Sequence, residues 1–326
     1  MYQINEIRQL VEEKINSEIL NLKRKPRNLY EPVEYILSIG GKRIRPALVL
    51  MSYNLFSENI EKALLPAIAY EVLHNFTLLH DDIMDNSNLR RNKPTVHTKW
   101  NNNTAILSGD AMAFWAYDFL KDCPDNSYRN IFNLFTNTAL QICEGQQFDM
   151  DFENQNSVTE NDYLEMIRLK TAVLLAACLK TGVLLTETNE NEANKLYDFG
   201  INIGIAFQLQ DDFLDTYGDT EVFGKKTGND IIANKKTYLL IKALQLATNR
   251  NAEKLHFWIN TLQFNAEEKV ADVTGIYNEL NIKEITKQKM HEYYLKAIHI
   301  LDNISVEKEK KELLYNFAHQ LVDRTF

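Results

Sequence analysis

The strongest constraint on the fold is that no proline follows Pro124: all six prolines lie at or before it, and residues 125–326 contain none. Glycine is also scarce, with 11 residues in the chain against a usual share of roughly 7%. Proline and glycine are the residues that interrupt helices most strongly. A long stretch almost free of both is therefore predicted to be helical.

Hydrophobic periodicity agrees with this prediction. Residues 163–185, YLEMIRLKTAVLLAACLKTGVLL, are apolar on nearly every side, which is typical of a helix in the centre of a bundle. Residues 308–324 carry apolar side chains on one helical face, which predicts an outer helix. No run of strict alternation is long enough to predict a strand. The predicted breaks are 123–127, 186–192 and 217–230. We therefore predict an all-α, single-domain helical bundle over residues 1–326, with about ten helices.

Composition excludes several classes of protein. The net charge of -9 argues against a nucleic-acid groove, because phosphate backbones require a basic surface. The three cysteines, Cys123, Cys143 and Cys178, lack metal-ligand spacing, so we expect reduced, buried thiols. The charged first residues do not resemble a signal peptide, and the longest apolar run, 172–179, is too short to span a bilayer. We expect a cytoplasmic protein without a membrane anchor.

Two acidic clusters, DDIMD at 81–85 and DDFLD at 211–215, each follow an apolar segment. Residues four apart on a helix lie on one face, about 6 Å apart along the axis. Asp81 and Asp85 therefore point the same way, and carboxylates at this spacing repel each other. A solvated acidic face is the ordinary interpretation of one such cluster. It fits poorly here, because the neighbours of both clusters are Leu, Ile, Phe and Met.

Divalent metal binding explains the two clusters better. Mg²⁺ binds one or two carboxylates and completes its coordination with water and substrate phosphates. Polar sequences after both clusters predict that each one ends its helix, where the helix dipole favours a cation. The spacing and central glycine of a calcium EF-hand loop are missing. Two such clusters facing each other are suited to several Mg²⁺ ions around one diphosphate.

Basic residues occur in three places that suit phosphate binding. Arg90 and Arg91 follow the first acidic cluster, and arginine reads phosphate in a bidentate manner. The motif GGKRIRP at 40–46 opens a helix, a position where backbone amides and basic side chains form an anion site. A third group flanks the second acidic cluster: Lys225, Lys226, Lys235 and Lys236. A diphosphate with a long hydrocarbon tail would satisfy the acidic, basic and apolar features together.

These residues resemble the trans-isoprenyl diphosphate synthases, or polyprenyl synthetases. The resemblance rests on GGKRIRP, LLHDDIMDNSNLRRNKPTVH, GDAM, KTA and FQLQDDFLD followed by FGKKTGNDIIANKKT, in this order. It implies an all-α isoprenoid synthase fold around a deep central cavity and usually a homodimer. It also implies condensation of isopentenyl diphosphate with an allylic diphosphate, with about three Mg²⁺ ions per active site.

The resemblance also implies roles for individual residues. The isopentenyl diphosphate ligands would be Lys42, Arg45, His74 and Arg91. The metal motifs would be Asp81, Asp82, Asp85, Asp211 and Asp215. Contacts to the allylic substrate would come from Arg90, Lys170, Thr171, Gln208, Lys226 and Lys235.

Three positions call for comment beside this assignment. A lone histidine in an apolar helix is usually a packed core residue, but His74 precedes Asp81 by two helical turns and shares its face. The family usually reads Arg-Arg-Gly where Asn92 stands here; asparagine tolerates left-handed backbone geometry, so the turn is expected to survive. Whether Lys225 or Lys226 contacts phosphate stays open.

The charges suggest a mechanism. Mg²⁺ and the basic residues would stabilise the leaving diphosphate, so that the allylic C–O bond ionises. Lys170 and Thr171 would offer oxygen atoms to the cation if the helix is kinked there, and Gln208 would offer its amide oxygen. The isopentenyl double bond then attacks the cation and a proton is lost to the departed diphosphate. Closure of the cleft would exclude water.

Product length is predicted from Phe76, which lies five residues before Asp81, roughly 7.5 Å down the helix. A bulky residue here acts as a floor in the family, and Thr77 leaves room above it. We expect geranylgeranyl diphosphate first and farnesyl diphosphate second.

Alternatives are a class I terpene cyclase, a non-catalytic subunit of a heteromeric synthase, and a helical binding module. The complete second DDxxD motif and GGKRIRP favour the synthase.

Overall fold

The structure is a computed structural model that describes residues 2–22, 24–155, 157–186, 188, 190–218 and 227–322. The all-α prediction is confirmed. In chain order, the described α-helices are α1 (Ile4–Asn21), α2 (Arg27–Ser38), α3 (Ile44–Asn54), α4 (Leu64–Met84), α5 (Val96–Lys99), α6 (Asn102–Asp118), α7 (Asp125–Glu153), α8 (Glu160–Ile167), α9 (Val173–Leu184), α10 (Glu190–Tyr217), α11 (Asn229–Ile232), α12 (Tyr238–Leu246), α13 (Asn249–Asn260), α14 (Ala266–Glu279), α15 (Ile282–Asp302) and α16 (Lys308–Val322). Short 3₁₀ turns cover Ile60–Ala63 and Phe119–Asp122.

The chain divides into two compact units. Unit 1 comprises Met1–Ala139, Ala177–Tyr197 and Ile304–Leu313, and unit 2 comprises Leu140–Ala176, Asp198–Asn303 and Leu314–Phe326. Both units draw on distant parts of the sequence. The assignment of residues 1–326 to one domain stays a prediction, and so does the deep central cavity.

In unit 1 the core is built on α4, which packs against α3 and α6. The first turns of α4 are apolar on all sides and bury Ala67, Tyr70 and Leu73. The ring of Tyr70 packs edge-on against Phe135, with centroids 5.0 Å apart. Its hydroxyl forms a 2.7 Å hydrogen bond with Thr181 Oγ1, which satisfies a polar group that burial would otherwise penalise. This packing fixes the helix whose last turn carries the first acidic cluster.

In unit 2 one core cluster joins residues from α8, α10, α12 and α15, including Tyr163, Leu209, Tyr238 and Met290. A second cluster joins α11, α13 and α14 through residues such as Ile231, Trp258 and Val273. The second acidic cluster lies in the last two turns of α10, which ends at Tyr217. Both acidic clusters therefore end their helices, as the sequence predicted.

The apolar run at 163–185 is not one continuous α-helix. Residues Arg168–Ala172 form a π-helical segment between α8 and α9. Gly145 of α7 packs against this segment so closely that a Cβ added there would lie 2.3 Å from the backbone nitrogen of Lys170. Close backbone packing of this kind is what glycine permits. The condition that the sequence analysis set for Lys170 and Thr171, a departure from regular helix at this point, is met by a π-bulge.

Two two-residue strands interrupt the helical pattern of the described residues. β1 (Leu89–Arg90) pairs antiparallel with β2 (Lys93–Pro94). The two residues between them, Arg91 and Asn92, have φ values of 52° and 60°. Left-handed geometry at both central positions is the turn that suits a two-residue hairpin. The turn expected to survive the Asn92 replacement is present.

One expectation from composition needs correction. Cys123 and Cys178 are buried, but Cys143 is exposed, because its position on α7 faces solvent rather than the core. Among the residues that the structure describes, no helix combines the length and apolar character needed to cross a bilayer.

Candidate active site

The first acidic cluster lies at the C-terminus of α4 in unit 1. Asp85 follows the last helical residue, and its backbone N–H donates to the carbonyl of Asp81 at 2.9 Å. The Asp81 side chain is 23% exposed and Asp85 is exposed. Both carboxylates are thus accessible at the negative end of the helix dipole, a position that favours a cation.

Asp82 differs from its neighbours because it is buried and bound to Arg90. The guanidinium of Arg90 donates to Asp82 Oδ1 at 2.6 Å through Nη2 and to Oδ2 at 3.2 Å through Nε. Burial raises the pKa of the Asp82 carboxyl, and Arg90 opposes that rise. The sequence assigned Asp82 to the metal motif and Arg90 to the allylic substrate. The structure pairs the two with each other, and Arg90 Nη2 also lies 3.9 Å from Asp81 Oδ2.

A group of basic residues surrounds His74 in the same unit. Burial lowers the pKa of His74 well below its usual value, and the charges of Arg45, Arg91, Arg90 and Arg43 lower it further. The imidazole is therefore neutral at physiological pH. The guanidinium of Arg91 lies against Gly41, where an added Cβ would be 2.9 Å away.

The left-handed turn before α3 holds two of the predicted ligands. Gly40 has φ 84°, and Arg43 caps α3 with φ 48°. Lys42 is exposed beside this turn, and Arg45 is half-buried in the first turn of the helix. The structure therefore brings Arg45, His74 and Arg91 into one basic cluster, with Lys42 at its edge.

Arg43 does not act as the phosphate reader that the basic motif suggested. It is 3% exposed. It donates to Glu12 Oε1 and Glu71 Oε1, both at 2.7 Å, and to the carbonyl of Leu37 at 2.6 Å. Sequence reasoning missed this network; the one available signal was Glu71, a lone acid in the apolar stretch AIAYEVL.

The residues assigned to chain length lie one turn before the acidic cluster. Phe76 is half-buried and packs edge-on against His80, with ring centroids 4.8 Å apart. The hydroxyl of Thr77 donates to the carbonyl of His74 at 2.8 Å. His80 Nε2 lies 3.1 Å from the carbonyl of Ile106. His80, which the sequence interpretation left out, therefore holds the ring of Phe76 in place.

In unit 2 a hydrogen-bonded chain of side chains runs beside the second acidic cluster. Thr171 Oγ1 donates to Gln208 Oε1 at 3.0 Å, and Gln208 Nε2 donates to Asp212 Oδ1 at 3.1 Å. The hydroxyl of Tyr163 donates to the other carboxylate oxygen of Asp212 at 2.5 Å. Burial raises the pKa of Asp212 to about 6, against the lowering effect of Lys235 and these hydrogen bonds. Thr171 and Gln208 were predicted together, whereas Tyr163 was missed.

Lys170 and Lys235 meet at one carboxylate, Asp149 on α7. Lys170 Nζ lies 2.6 Å and Lys235 Nζ 4.0 Å from Asp149 Oδ2. Burial opposes ionisation of Asp149, but the two lysines outweigh it and lower its pKa. The same three residues line a small pocket with Thr171 and Gln208. Asp149 therefore contacts two residues that are predicted to bind phosphate. No feature of the sequence indicated this role for Asp149.

The last residue of the second cluster anchors the segment that follows. Asp215 Oδ2 accepts the backbone N–H of Asp230 at 2.9 Å, and its carbonyl accepts the N–H of Gly228 at 2.6 Å. Asp211 is half-buried on the same helix. Lys225 and Lys226 lie outside the described residues.

The acidic side chains of each unit fit Mg²⁺. Asp81 and Asp85 in unit 1, and Asp211 and Asp215 in unit 2, offer carboxylate oxygens, which hard cations prefer. Across the described residues, no group of three or more His, Cys, Asp or Glu side chains is arranged to hold a metal on its own. Mg²⁺ suits each pair of carboxylates, because it uses few protein carboxylates and takes its remaining ligands from water and phosphate.

Comparison with known proteins identifies the family. The model of the polyprenyl synthetase family matches residues 26–280. The chain is 35% identical over 317 residues to the geranylgeranyl pyrophosphate synthase of Geoglobus acetivorans, covering 97% of this chain and 96% of that protein. It is 35% identical over 307 residues to the short chain isoprenyl diphosphate synthase of Methanothermobacter thermautotrophicus, covering 94% and 90%. A geranylfarnesyl diphosphate synthase of Natronomonas pharaonis is 36% identical over 259 residues, covering 74% and 75%.

Comparison with solved structures identifies the same family. A geranylgeranyl pyrophosphate synthase matches with a TM-score of 0.95 and 41% identity, covering 100% of both chains. The geranylgeranyl pyrophosphate synthase of Corynebacterium glutamicum, complexed with isoprenyl diphosphate and magnesium, matches with a TM-score of 0.85 and 25% identity, covering 99% of this chain and 98% of that one. The chain is thus a prenyltransferase by fold and relatives. It belongs to the polyprenyl synthetase family, the trans-isoprenyl diphosphate synthases that its motifs resemble.

Proposed function

We propose that the protein catalyses the Mg²⁺-dependent head-to-tail condensation of isopentenyl diphosphate with an allylic diphosphate to give a short-chain trans-prenyl diphosphate. Geranylgeranyl diphosphate is the favoured product and farnesyl diphosphate the second choice. The observation that carries the proposal is the position of Arg45 and Arg91 close to His74, in the unit that also presents Asp81 and Asp85. A cluster of this charge suits a diphosphate.

The isopentenyl diphosphate would bind to the basic cluster. Arg45 and Arg91 supply guanidinium groups, and Lys42 adds a charge at the edge. A neutral His74 contributes a hydrogen bond without repelling the arginines. Because Arg45, His74 and Arg91 lie on α3, α4 and the β-hairpin of one packed unit, most of the subsite is held by rigid elements.

Asp81, Asp85 and Asp211 would be the principal Mg²⁺ ligands, with Asp215 beside them and about three ions per active site. When bound, Mg²⁺ would neutralise the diphosphate of the allylic substrate as its C–O bond breaks. Asp82 would act by fixing Arg90, rather than as a direct ligand. This division is supported by the burial of Asp82 and the accessibility of Asp81.

The protein's own groups would act on the allylic substrate as follows. Arg90, Lys170, Lys235 and Lys226 bind its diphosphate and stabilise the charge that develops on departure. Thr171 and Gln208 present oxygen atoms toward the allylic cation, and the π-bulge at residues 168–172 turns Thr171 away from regular helical geometry. The attacking double bond of isopentenyl diphosphate then forms the new C–C bond, and the proton passes to the departed diphosphate.

Product length would be limited by Phe76, with Thr77 leaving room above it. The contact between Phe76 and His80 supports this role, because a ring that is held in place can stop a growing chain. The relatives named geranylgeranyl diphosphate synthase favour a C20 product. The relative named geranylfarnesyl diphosphate synthase makes the length a point to measure.

A homodimer is the expected assembly. Three large apolar side chains on α6 are strongly exposed: Ile106 at 44%, Leu107 at 60% and Phe114 at 77%. Exposed apolar residues concentrated on one helix commonly mark a subunit interface, and most soluble oligomers are symmetric homo-oligomers. Location in the cytoplasm stays a prediction.

The test is product analysis. The purified protein is incubated with Mg²⁺, isopentenyl diphosphate and, separately, dimethylallyl, geranyl or farnesyl diphosphate. A linear C20 diphosphate that disappears with EDTA is the expected result, and the Asp81→Asn and Asp211→Asn variants should be inactive. A cyclic hydrocarbon would indicate a terpene cyclase. No turnover with any primer would indicate a non-catalytic subunit.

A further inference from the structure

The first helix of the chain reaches the basic cluster through one carboxylate. Glu12 of α1 accepts hydrogen bonds from Arg43 Nε at 2.7 Å and Arg43 Nη2 at 3.5 Å. Residue 12 precedes the segment 26–280 that the family model matches. The contact therefore joins a part of the chain outside the family's matched core to the turn that carries Lys42.

Arg43 needs both of its acidic partners. Its side chain is 2% exposed, and its backbone is in the left-handed region, which is unfavourable for a residue other than glycine. Glu71 satisfies Nη1 and the carbonyl of Leu37 satisfies Nη2. Among the described residues, Glu12 supplies the acceptor for Nε. A buried charged donor left without its acceptor is costly, so loss of Glu12 would loosen the turn.

The negative charge of Glu12 also affects the pKa of the neighbouring arginine, Arg91. Burial lowers the pKa of Arg91, and the charges of Arg43 and Arg90 act in the same direction. Glu71 and Glu12 oppose this effect. The two carboxylates therefore offset repulsion among the arginines near His74.

We propose that Glu12 is a positioning residue for the isopentenyl diphosphate subsite, acting through Arg43 on the turn that presents Lys42 and Arg45. This inference rests on the proposed function, because it assumes that the basic cluster binds isopentenyl diphosphate. Glu12 touches neither substrate. Its effect is to hold the backbone and charges of the subsite in the arrangement that binds diphosphate.

The chain supplies a matched control in the adjacent residue. Glu13 is exposed and accepts a hydrogen bond from Gln9 at 2.8 Å within α1. Glu12→Gln and Glu13→Gln make the same change of charge on the same helix, one residue apart. Glu12→Asp keeps the charge and serves as the conservative variant.

The experiment measures KM for isopentenyl diphosphate, KM for the allylic primer, kcat and Tm for all four proteins. For Glu12→Gln, we expect the isopentenyl diphosphate KM to rise roughly threefold to tenfold, with the allylic KM and kcat unchanged. Glu13→Gln should match the wild type, and Glu12→Asp should recover part of the loss. Equal behaviour of Glu12→Gln and Glu13→Gln would overturn the inference. A fall in Tm with both KM values raised together would also overturn it, because it would indicate a merely structural role.

A calorimetric titration with isopentenyl diphosphate separates this inference from the proposed function. It measures binding without turnover, so an inactive wild type that binds isopentenyl diphosphate still allows the variants to be compared. Weaker binding by Glu12→Gln than by Glu13→Gln supports the inference even if the condensation reaction is absent. A wild type that neither turns over nor binds isopentenyl diphosphate would refute both proposals.

Discussion

The hydroxyl of Thr171 donates to the amide oxygen of Gln208, with 3.0 Å between Oγ1 and Oε1. The amide nitrogen of Gln208 is bound to Asp212 at 3.1 Å, so the amide has one favourable orientation. Two oxygen atoms are thereby placed side by side at the π-bulge. Both are suited to stabilise a positive charge, since each retains a lone pair that is not used in this contact.

Replacing Thr171 with valine should lower kcat roughly tenfold, because it leaves the Gln208 amide oxygen without its donor and removes one of the two oxygens. Valine keeps the branched shape, so we expect little change in Tm. Thr171→Ser retains the hydroxyl and should keep most of the activity. Steady-state kinetics with a saturating primer would test this. A valine variant as active as the serine variant would contradict the proposed role.

Replacing Tyr163 with phenylalanine should disturb the same row of hydrogen-bonded side chains at its other end, at Asp212. It removes the hydrogen bond to Asp212 and leaves a buried carboxylate oxygen unsatisfied, at a cost of about 1–3 kcal/mol in stability. We expect kcat to fall as the orientation of Gln208 is loosened. Tyr315→Phe is a matched control, because Tyr315 also donates to an aspartate, Asp302, at 2.5 Å, but this hydrogen bond is exposed to solvent and Tyr315 is half-buried. Equal kcat values for the two variants would show that Tyr163 is not coupled to the reaction.

Much of the local arrangement follows from the sequence. The positions of Asp81 and Asp85 at a helix end follow from the apolar run before them and the polar residues after them. The left-handed turn at Asn92 follows from the conformational range of asparagine. A kink at Lys170 was considered only as a condition for its proposed role, and the π-bulge found there packs against Gly145, which lies on another helix.

The contacts that sequence reasoning missed are tertiary. Arg43 finds its acidic partners 31 and 28 residues away, on α1 and α4. Asp149 gathers Lys170 across 21 residues. Asp82, unlike its neighbours in the same motif, is buried and binds Arg90. Periodicity predicts which face of a helix a residue occupies, but it does not predict which charge from another element meets it there.

The shifted pKa of His74 predicts a dependence of stability on pH. The pKa of His74 lies well below its unfolded value of about 6.5 in the folded protein. At a pH between the folded and the unfolded pKa, the unfolded chain binds a proton that the folded chain does not. The free energy of unfolding should therefore fall as pH decreases from 7 to 5, by up to about 1.4 kcal/mol per pH unit from this residue.

Urea denaturation at pH 7 and pH 5 would measure this effect. His74→Asn should lose less stability across the interval than the wild type. His291→Asn, a change at an exposed position on α15, should keep the wild-type dependence. Identical dependence in His74→Asn and the wild type would mean that burial and the neighbouring arginines do not hold His74 neutral.

Replacing Phe76 with alanine should lengthen the product by at least one isoprene unit, because it removes the ring that we propose as the floor. The structure adds a second expectation: the ring of His80, which packs on Phe76 at 4.8 Å, loses this contact, while its Nε2 stays near the carbonyl of Ile106. Phe76→Ala should therefore give a broader distribution of chain lengths, whereas Phe76→Leu should shift it less. Phe257→Ala is the control, because Phe257 is 59% exposed on α13. The products are resolved by chain length. If Phe76→Ala and Phe257→Ala give the same products, the floor lies at another residue.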